Sequence, residues 1–396
     1  MSKITWKSKR ILTENGMVNG YITIEDGYIR DISDHCDGAY QDAGELGIYP
    51  GIIDIHNHGF GGWSMTDPCE DEDVRGYAKA LASVGVTGIL PTAKEDAFEA
   101  VARVMDQDYE GAAIYGIHSE GPFWARGGEN TVGMSWPLPD VEETKRLTAR
   151  AGGKMAMMAI APELPGAYDV IRYLHAQGIK VACCHTAAHS REIYDALEHV
   201  GFDIATHLGN GMQGIHHRDV GALGALLLSE GLYYEVITDL NHICADMLKI
   251  MFRLQPYEKF CLISDSNYIA GLPAGTYMRY GRKMFADEKG LILNSDGRIC
   301  GSGKWVLYNI GQLVNHVGVP LEAALRMASI NPARFLGIQE KTGSIRSGKR
   351  ADLMFVDEQF VCHRTYVGGK IVFDRLTDTG ERIFNPEAMK RRVENA

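Results

Sequence analysis

The chain has no apolar run long enough to cross a bilayer, and its first residues, Met1-Ser2-Lys3-Ile4-Thr5-Trp6-Lys7, lack the apolar core of a signal peptide. A cytoplasmic protein is therefore expected. Its eight cysteines contain no Cys-x-x-Cys pair, which counts against a zinc ribbon or a thioredoxin-type site. They form no regular framework, and Cys183 and Cys184 sit side by side in an apolar strand, so buried reduced thiols are expected. An excess of basic residues is missing too. The net charge of -11 argues against nucleic acid or an anionic membrane surface as the main partner. It leaves room for an anionic small substrate, because a local site can oppose the global sign. Low-complexity tracts and internal repeats are absent.

What is present is an ordinary globular composition, 45% hydrophobic and 23% charged, over 396 residues. That length exceeds one ordinary core and suggests one large domain plus a smaller one. The first ~49 residues read as β-structure, with alternating runs around the Asp26-Gly27 turn. Such a segment is too short to bury a core alone. Strand-like runs at Ala351 to Val356 and Lys370 to Phe373 supply a partner, so one small β-sandwich domain built from both chain ends is expected. Between these ends, buried strands alternate with helical periodicity. Strands are read near Asp54, Ile89, Ile117, Met157, Val181, Ile204, Val236 and Leu262. Eight of them predict a (β/α)8 barrel over residues 50–342, with the β-domain formed by 1–49 and 343–396. An open doubly wound sheet is the alternative, but no Gly-rich phosphate loop follows the first strand. A polar β-like insertion is read from Tyr277 to Cys300, a single helix from Leu321 to Phe335, and an exposed helical or disordered tail from Glu381.

A barrel keeps its active site at the C-terminal ends of its strands. The first strand ends Asp54-Ile55-His56-Asn57-His58-Gly59, and side chains two apart share a face. His118 and Glu120 follow the third strand, His185 the fifth, His207 the sixth, Asp239 and His242 the seventh, and Asp265 the eighth. A lone histidine at a strand end is usually a satisfied hydrogen-bonding residue, and a lone Asp is usually a helix cap. Convergence of so many at one mouth points instead to a metal site. Imidazole and carboxylate donors suit one or two divalent ions of zinc, iron, manganese or cobalt. Asp265 is the carboxylate placed to act as general base.

The motifs Pro50-Gly51-Ile52-Ile53-Asp54-Ile55-His56-Asn57-His58-Gly59, His118-Ser119-Glu120-Gly121-Pro122-Phe123, Thr206-His207-Leu208-Gly209-Asn210-Gly211-Met212 and Ile263-Ser264-Asp265 resemble the amidohydrolase superfamily. Within it they resemble the N-acetylglucosamine-6-phosphate deacetylases, as does Gly343 to Leu353. The resemblance implies metal-dependent removal of acetate from an N-acetylated amino sugar. By motif, Glu120, His185 and His207 would hold one ion, and His56 and His58 a second with Glu120 bridging. His242 would polarise the acetyl carbonyl, and Asn210 and Gly211 would hold the sugar or its phosphate. Arg218 would reach the substrate of a neighbouring subunit, which implies a homodimer.

The chain departs from that pattern at several places. Arg126-Gly127-Gly128-Glu129-Asn130 stands where relatives carry Lys-Gly-x-His-Asn, and Glu129 near a sugar would repel a phosphate or accept hydroxyl protons. Lys304 stands in the segment after the late Gly-Ser and would compensate as a phosphate contact. His185 follows Cys184 where relatives have glycine. Two other readings compete: another amidohydrolase, and a sugar-binding protein without chemistry. The fourth strand ends Ala159-Ile160-Ala161-Pro162-Glu163 without the bridging lysine of many other amidohydrolases. The intact ligand set speaks against lost chemistry.

Overall fold

All six residues of the first barrel strand, Ile52–Asn57, are buried, and so are all six of the second, Val86–Pro91. Continuous burial is what a parallel strand covered on both faces requires. The computed structural model describes residues 3–66, 69–127, 134–279, 282–390 and 392–393. In it the third strand runs in two pieces, Ala113–Ile114 and Ile117–Glu120. It is followed by Met155–Ile160, Lys180–Cys183, Ile204–Ala205, Tyr233–Ile237 and Phe260–Ile263. Neighbours in this order pair in parallel. The ring closes beyond the eighth strand. The backbone N–H of Asp265 donates to the carbonyl of His56 at 2.9 Å, and that of His58 to the carbonyl of Ser266 at 3.0 Å. The fold is the expected (β/α)8 barrel.

Alternation sorts most of the strands into two faces, the first being irregular between Asp54 and Asn57. Ile53, Ile55, Leu90, Met157, Ala182, Ile204, Ile237 and Ile263 fill the barrel interior. The other face packs on the surrounding helices, among them Asp71–Ala82, Glu95–Met105, Ala167–Ala176 and Ser190–His199.

Both chain ends build one mixed sheet of eight strands among the described residues. Lys370–Asp374, Cys362–Val367 and Leu353–Val356 lead through Gly47–Pro50 to Ile4–Thr13, Gly16–Glu25 and Tyr28–Ser33, and Gln41–Asp42 pairs with Ile4–Thr13. It surrounds a core of its own that includes Trp6, Ile22, Ile48, Leu353 and Phe355. Asp26 and Gly27, at φ +52° and +86°, form the tight turn read from the sequence.

Two expectations fail. The helix read from Leu321 to Phe335 is two, Leu321–Met327 and Ile330–Phe335. Pro332 has no N–H to give to Ala328, and its ring would crowd that carbonyl. The freed carbonyl accepts the N–H of Ile53 at 2.9 Å instead, tying the break to the first barrel strand. The tail is helical at Gly380–Ile383 and Pro386–Lys390, as one of its two readings had it, but it is docked and not an exposed appendage. Trp63 Nε1 donates to the carbonyl of Ile383 at 3.1 Å, Ala388 is buried, and Arg392–Val393 pairs with Gly275–Arg279. That strand belongs to the insertion, whose other strands are Arg282–Ala286, Leu291–Asn294 and Ile299–Ser302. The insertion is anchored at the site itself, with the N–H of Ser302 on the carbonyl of Asp265 at 2.9 Å.

Candidate metal and active site

The rim opens into a cavity of about 610 Å³ lined by His58, Glu120, His185, His207, His242 and Asp265. Glu120 stands at its centre. Its Oε1 lies 3.1 Å from His185 Nε2 and 3.0 Å from His207 Nε2, while its Oε2 faces His58 Nε2 at 3.4 Å. Asp265 Oδ1 is 3.2 Å from His58 Nε2 and 3.7 Å from His56 Nε2. The donors fall into two groups, Glu120 with Cys184, His185 and His207, and His56 with His58 and Asp265. Within each group the ligand atoms all lie within 4.8 Å of one another. His56 Nε2 is buried without a hydrogen bond, 3.7 Å from Glu120 Oε1, so a ring nitrogen and two carboxylates face one another across a small gap. Imidazole nitrogens and carboxylates arranged this way fit a divalent ion.

The backbone presents these groups from unusual conformations. His185, His207 and Asp265 have φ of +43°, +26° and +47°, in the left-handed region that non-glycine residues rarely adopt. Strain of this kind gathers at functional sites. Gly211 is required for closeness: a Cβ there would stand 2.8 Å from His185 Nδ1.

Burial raises the Glu120 carboxyl, but hydrogen bonds from His185 and His207 and nearby imidazole charge outweigh it and hold it well below the usual range. The same balance acts on Asp265, where burial is overcome by the His58 hydrogen bond and the charges of His56, His58 and His207. Across the cavity, His242 Nδ1 bonds Asp239 Oδ2 at 2.9 Å, and Asp239 also accepts the His242 backbone N–H and the Ser302 hydroxyl. Burial lowers the His242 pKa, but the Asp239 hydrogen bond and charge raise it further.

The amidohydrolase family profile matches residues 48–372, which takes in the whole barrel and every group just described. The chain belongs to the amidohydrolase family. It is 32% identical over 380 residues to an N-acetylglucosamine-6-phosphate deacetylase of Vibrio furnissii, covering 94% of this chain and 93% of that one. It is 30% identical over 378 residues to an N-acetylgalactosamine-6-phosphate deacetylase of Escherichia coli O157:H7, covering 92% and 98%. Among solved structures, it matches an N-acetyl-D-glucosamine-6-phosphate deacetylase variant from Mycobacterium smegmatis, in complex with N-acetyl-D-glucosamine-6-phosphate. That match has a TM-score of 0.84 at 27% identity, covering 94% of this chain and all of that one.

The structure of this amidohydrolase gathers most of the residues singled out in its sequence. Asn210 and Gly211 line the cavity, and Asn210 Nδ2 donates to the carbonyl of His207 at 3.1 Å. Arg218 is exposed and does not line its own cavity. Glu129 lies outside the described residues. Lys304 departs from expectation. Its Nζ donates to the carbonyl of Glu288 at 2.7 Å and lies over the Tyr308 ring, away from the cavity lining, because the insertion folds back on it. Sequence reasoning missed Lys94, Trp124 and Arg298. The first two lie in loops after strands two and three and the last in the insertion, and all line the cavity. Trp124 packs its ring 4.2 Å from that of His185. Glu235, wholly buried beneath the site, was missed as well, although a charged residue inside Tyr-Tyr-Glu-Val-Ile is itself a signal. No helix among the described residues is long and apolar enough to cross a membrane.

Proposed function

We propose that this amidohydrolase removes the acetyl group from an N-acetylated hexosamine 6-phosphate. N-acetylglucosamine 6-phosphate is the first candidate; the galacto epimer and the unphosphorylated sugar are the alternatives. The observation that carries the reading is the convergence of Glu120, His185, His207, His58 and Asp265 on one cavity, with His56 buried against Glu120 and Asp265 and His242 in the cavity wall. The relatives' names favour the acetylated amino sugar and include both epimers.

Glu120, His185 and His207 would hold one divalent ion, and His56, His58 and Asp265, with Glu120 between, a second. When bound, such ions supply a water acidic enough to ionise near neutral pH and polarise the amide carbonyl. Asp265, kept as a carboxylate by its imidazole neighbours, takes the water's proton and returns it to the departing amine nitrogen. His242, held by Asp239, offers a proton-bearing nitrogen to the carbonyl oxygen as negative charge develops there. Gly211 and Asn210 bring backbone and amide groups against the sugar. Lys94, Arg126 and Arg298 line the same cavity and favour a substrate with a negative substituent. Arg218, free of its own cavity, would serve a neighbouring copy in a homodimer, and a monomer by sedimentation at micromolar concentration would contradict that.

The test is kcat/KM for gluco and galacto N-acetylhexosamines, each with and without the 6-phosphate. One charge-assisted contact worth ~1.5 kcal/mol gives the phosphorylated sugar about a tenfold advantage. Arg298→Ala should erase part of that advantage through KM and leave the free sugar unchanged. A preference for the free sugar would show that the basic lining does not read a phosphate.

A further inference from the structure

Beneath the cavity a carboxylate is buried where a barrel ordinarily keeps apolar side chains. Glu235 lies on the seventh strand with no exposed surface. Its Oε2 accepts from His56 Nδ1 at 2.9 Å and from the backbone N–H of His207 at 3.2 Å, while its Oε1 makes no hydrogen bond. Among the described residues, no lysine or arginine pairs with it. Withdrawing a carboxylate from water is expensive, and an apolar residue of similar volume would avoid that cost.

The two contacts show what the carboxylate does. Its contact with Nδ1 fixes the orientation of the His56 ring and turns Nε2 towards the cavity side. Nε2 faces Glu120 Oε1 and Asp265 Oδ1, each 3.7 Å away. A ring nitrogen and two carboxylate oxygens gathered around one gap suit a divalent cation. The same Glu235 oxygen holds the backbone of His207, which belongs to the other donor group. One buried carboxylate thus holds a member of each group, one by its ring and one by its main chain. The geometry points to Glu235 as the positioning residue that turns the His56–His58 pair into an ion site and keeps it in register with the Glu120–His185–His207 group. This rests on the two-ion reading above.

Zinc titrated into metal-stripped enzyme against a chelator of known affinity, with elemental analysis after dialysis, tests it. Wild type should take two zinc ions per chain, and His56→Ala one. Glu235→Gln, nearly the same shape, should keep the tighter ion and weaken the other ~10–100-fold, the usual cost of losing a residue that supports a ligand. Glu235→Asp, which keeps the charge but withdraws it by one methylene, should show the same selective loss and guards against a folding defect in the Gln variant. If wild type and His56→Ala both bind one ion, the two-ion reading fails. If wild type binds two, His56→Ala one, and both Glu235 variants two at wild-type affinity, the two-ion reading stands and the role of Glu235 is overturned. Equal weakening of both ions would mark a general structural role and equally overturn the proposal.

Discussion

Replacing Asp265 by Asn is expected to lower kcat ~10²–10⁴-fold, about 3–5 kcal/mol of barrier, the range that a positioned acid–base group supplies. The amide fills the same space but can neither take the water's proton nor return it to nitrogen. The Glu120–His185–His207 group does not include Asp265, so at least one ion per chain should survive. KM should change little, because the substrate's sugar and phosphate are met elsewhere in the cavity. The readout is steady-state acetate release beside elemental analysis of the same preparation. A near-wild-type rate would remove Asp265 from the chemistry. A dead enzyme without any metal would show that it serves mainly as a ligand.

Glu120→Ala should act by a different route. One carboxylate meets His185, His207 and His58 within 3.4 Å, so its loss deprives both donor groups at once. Metal affinity should fall by more than the ~10–100-fold that a supporting residue costs, and turnover with it. Excess zinc should restore little activity, since the carboxylate that joins the groups is gone. Unchanged metal content would mean that the ions, if bound, lie elsewhere. The two variants separate the roles: Asp265→Asn should be loaded but slow, and Glu120→Ala slow because it is empty.

The barrel was legible because its strands are buried on both faces and read as short continuous apolar runs, as in Met155–Ile160. The rim was legible because histidines and carboxylates follow those runs directly, and strand direction carries them to one mouth. Three features were harder. The break between Met327 and Ile330 was announced by Pro332 but is masked by apolar spacing that continues across it. The docking of the tail depends on Trp63 meeting Ile383, a contact across 320 positions that no local pattern encodes. The basic lining was split the same way: Arg298 arrives from an insertion whose path over the mouth is set by pairing of the Ser302 backbone with Asp265. Lys304, near in sequence to the expected contact, is drawn back to Glu288 by that same insertion. Glu235 shows the converse. Its charge in an apolar strand is visible at once, but its purpose appears only when His56 and His207 are seen on either side of it.

The most direct measurement is acetate release from N-acetylglucosamine 6-phosphate by the full chain before chelation, after chelation and dialysis, and after zinc is returned. The side-chain arrangement predicts that release disappears with the metal and comes back with it, one acetate formed for each free amine. Release that continues from enzyme shown to be metal-free would contradict it.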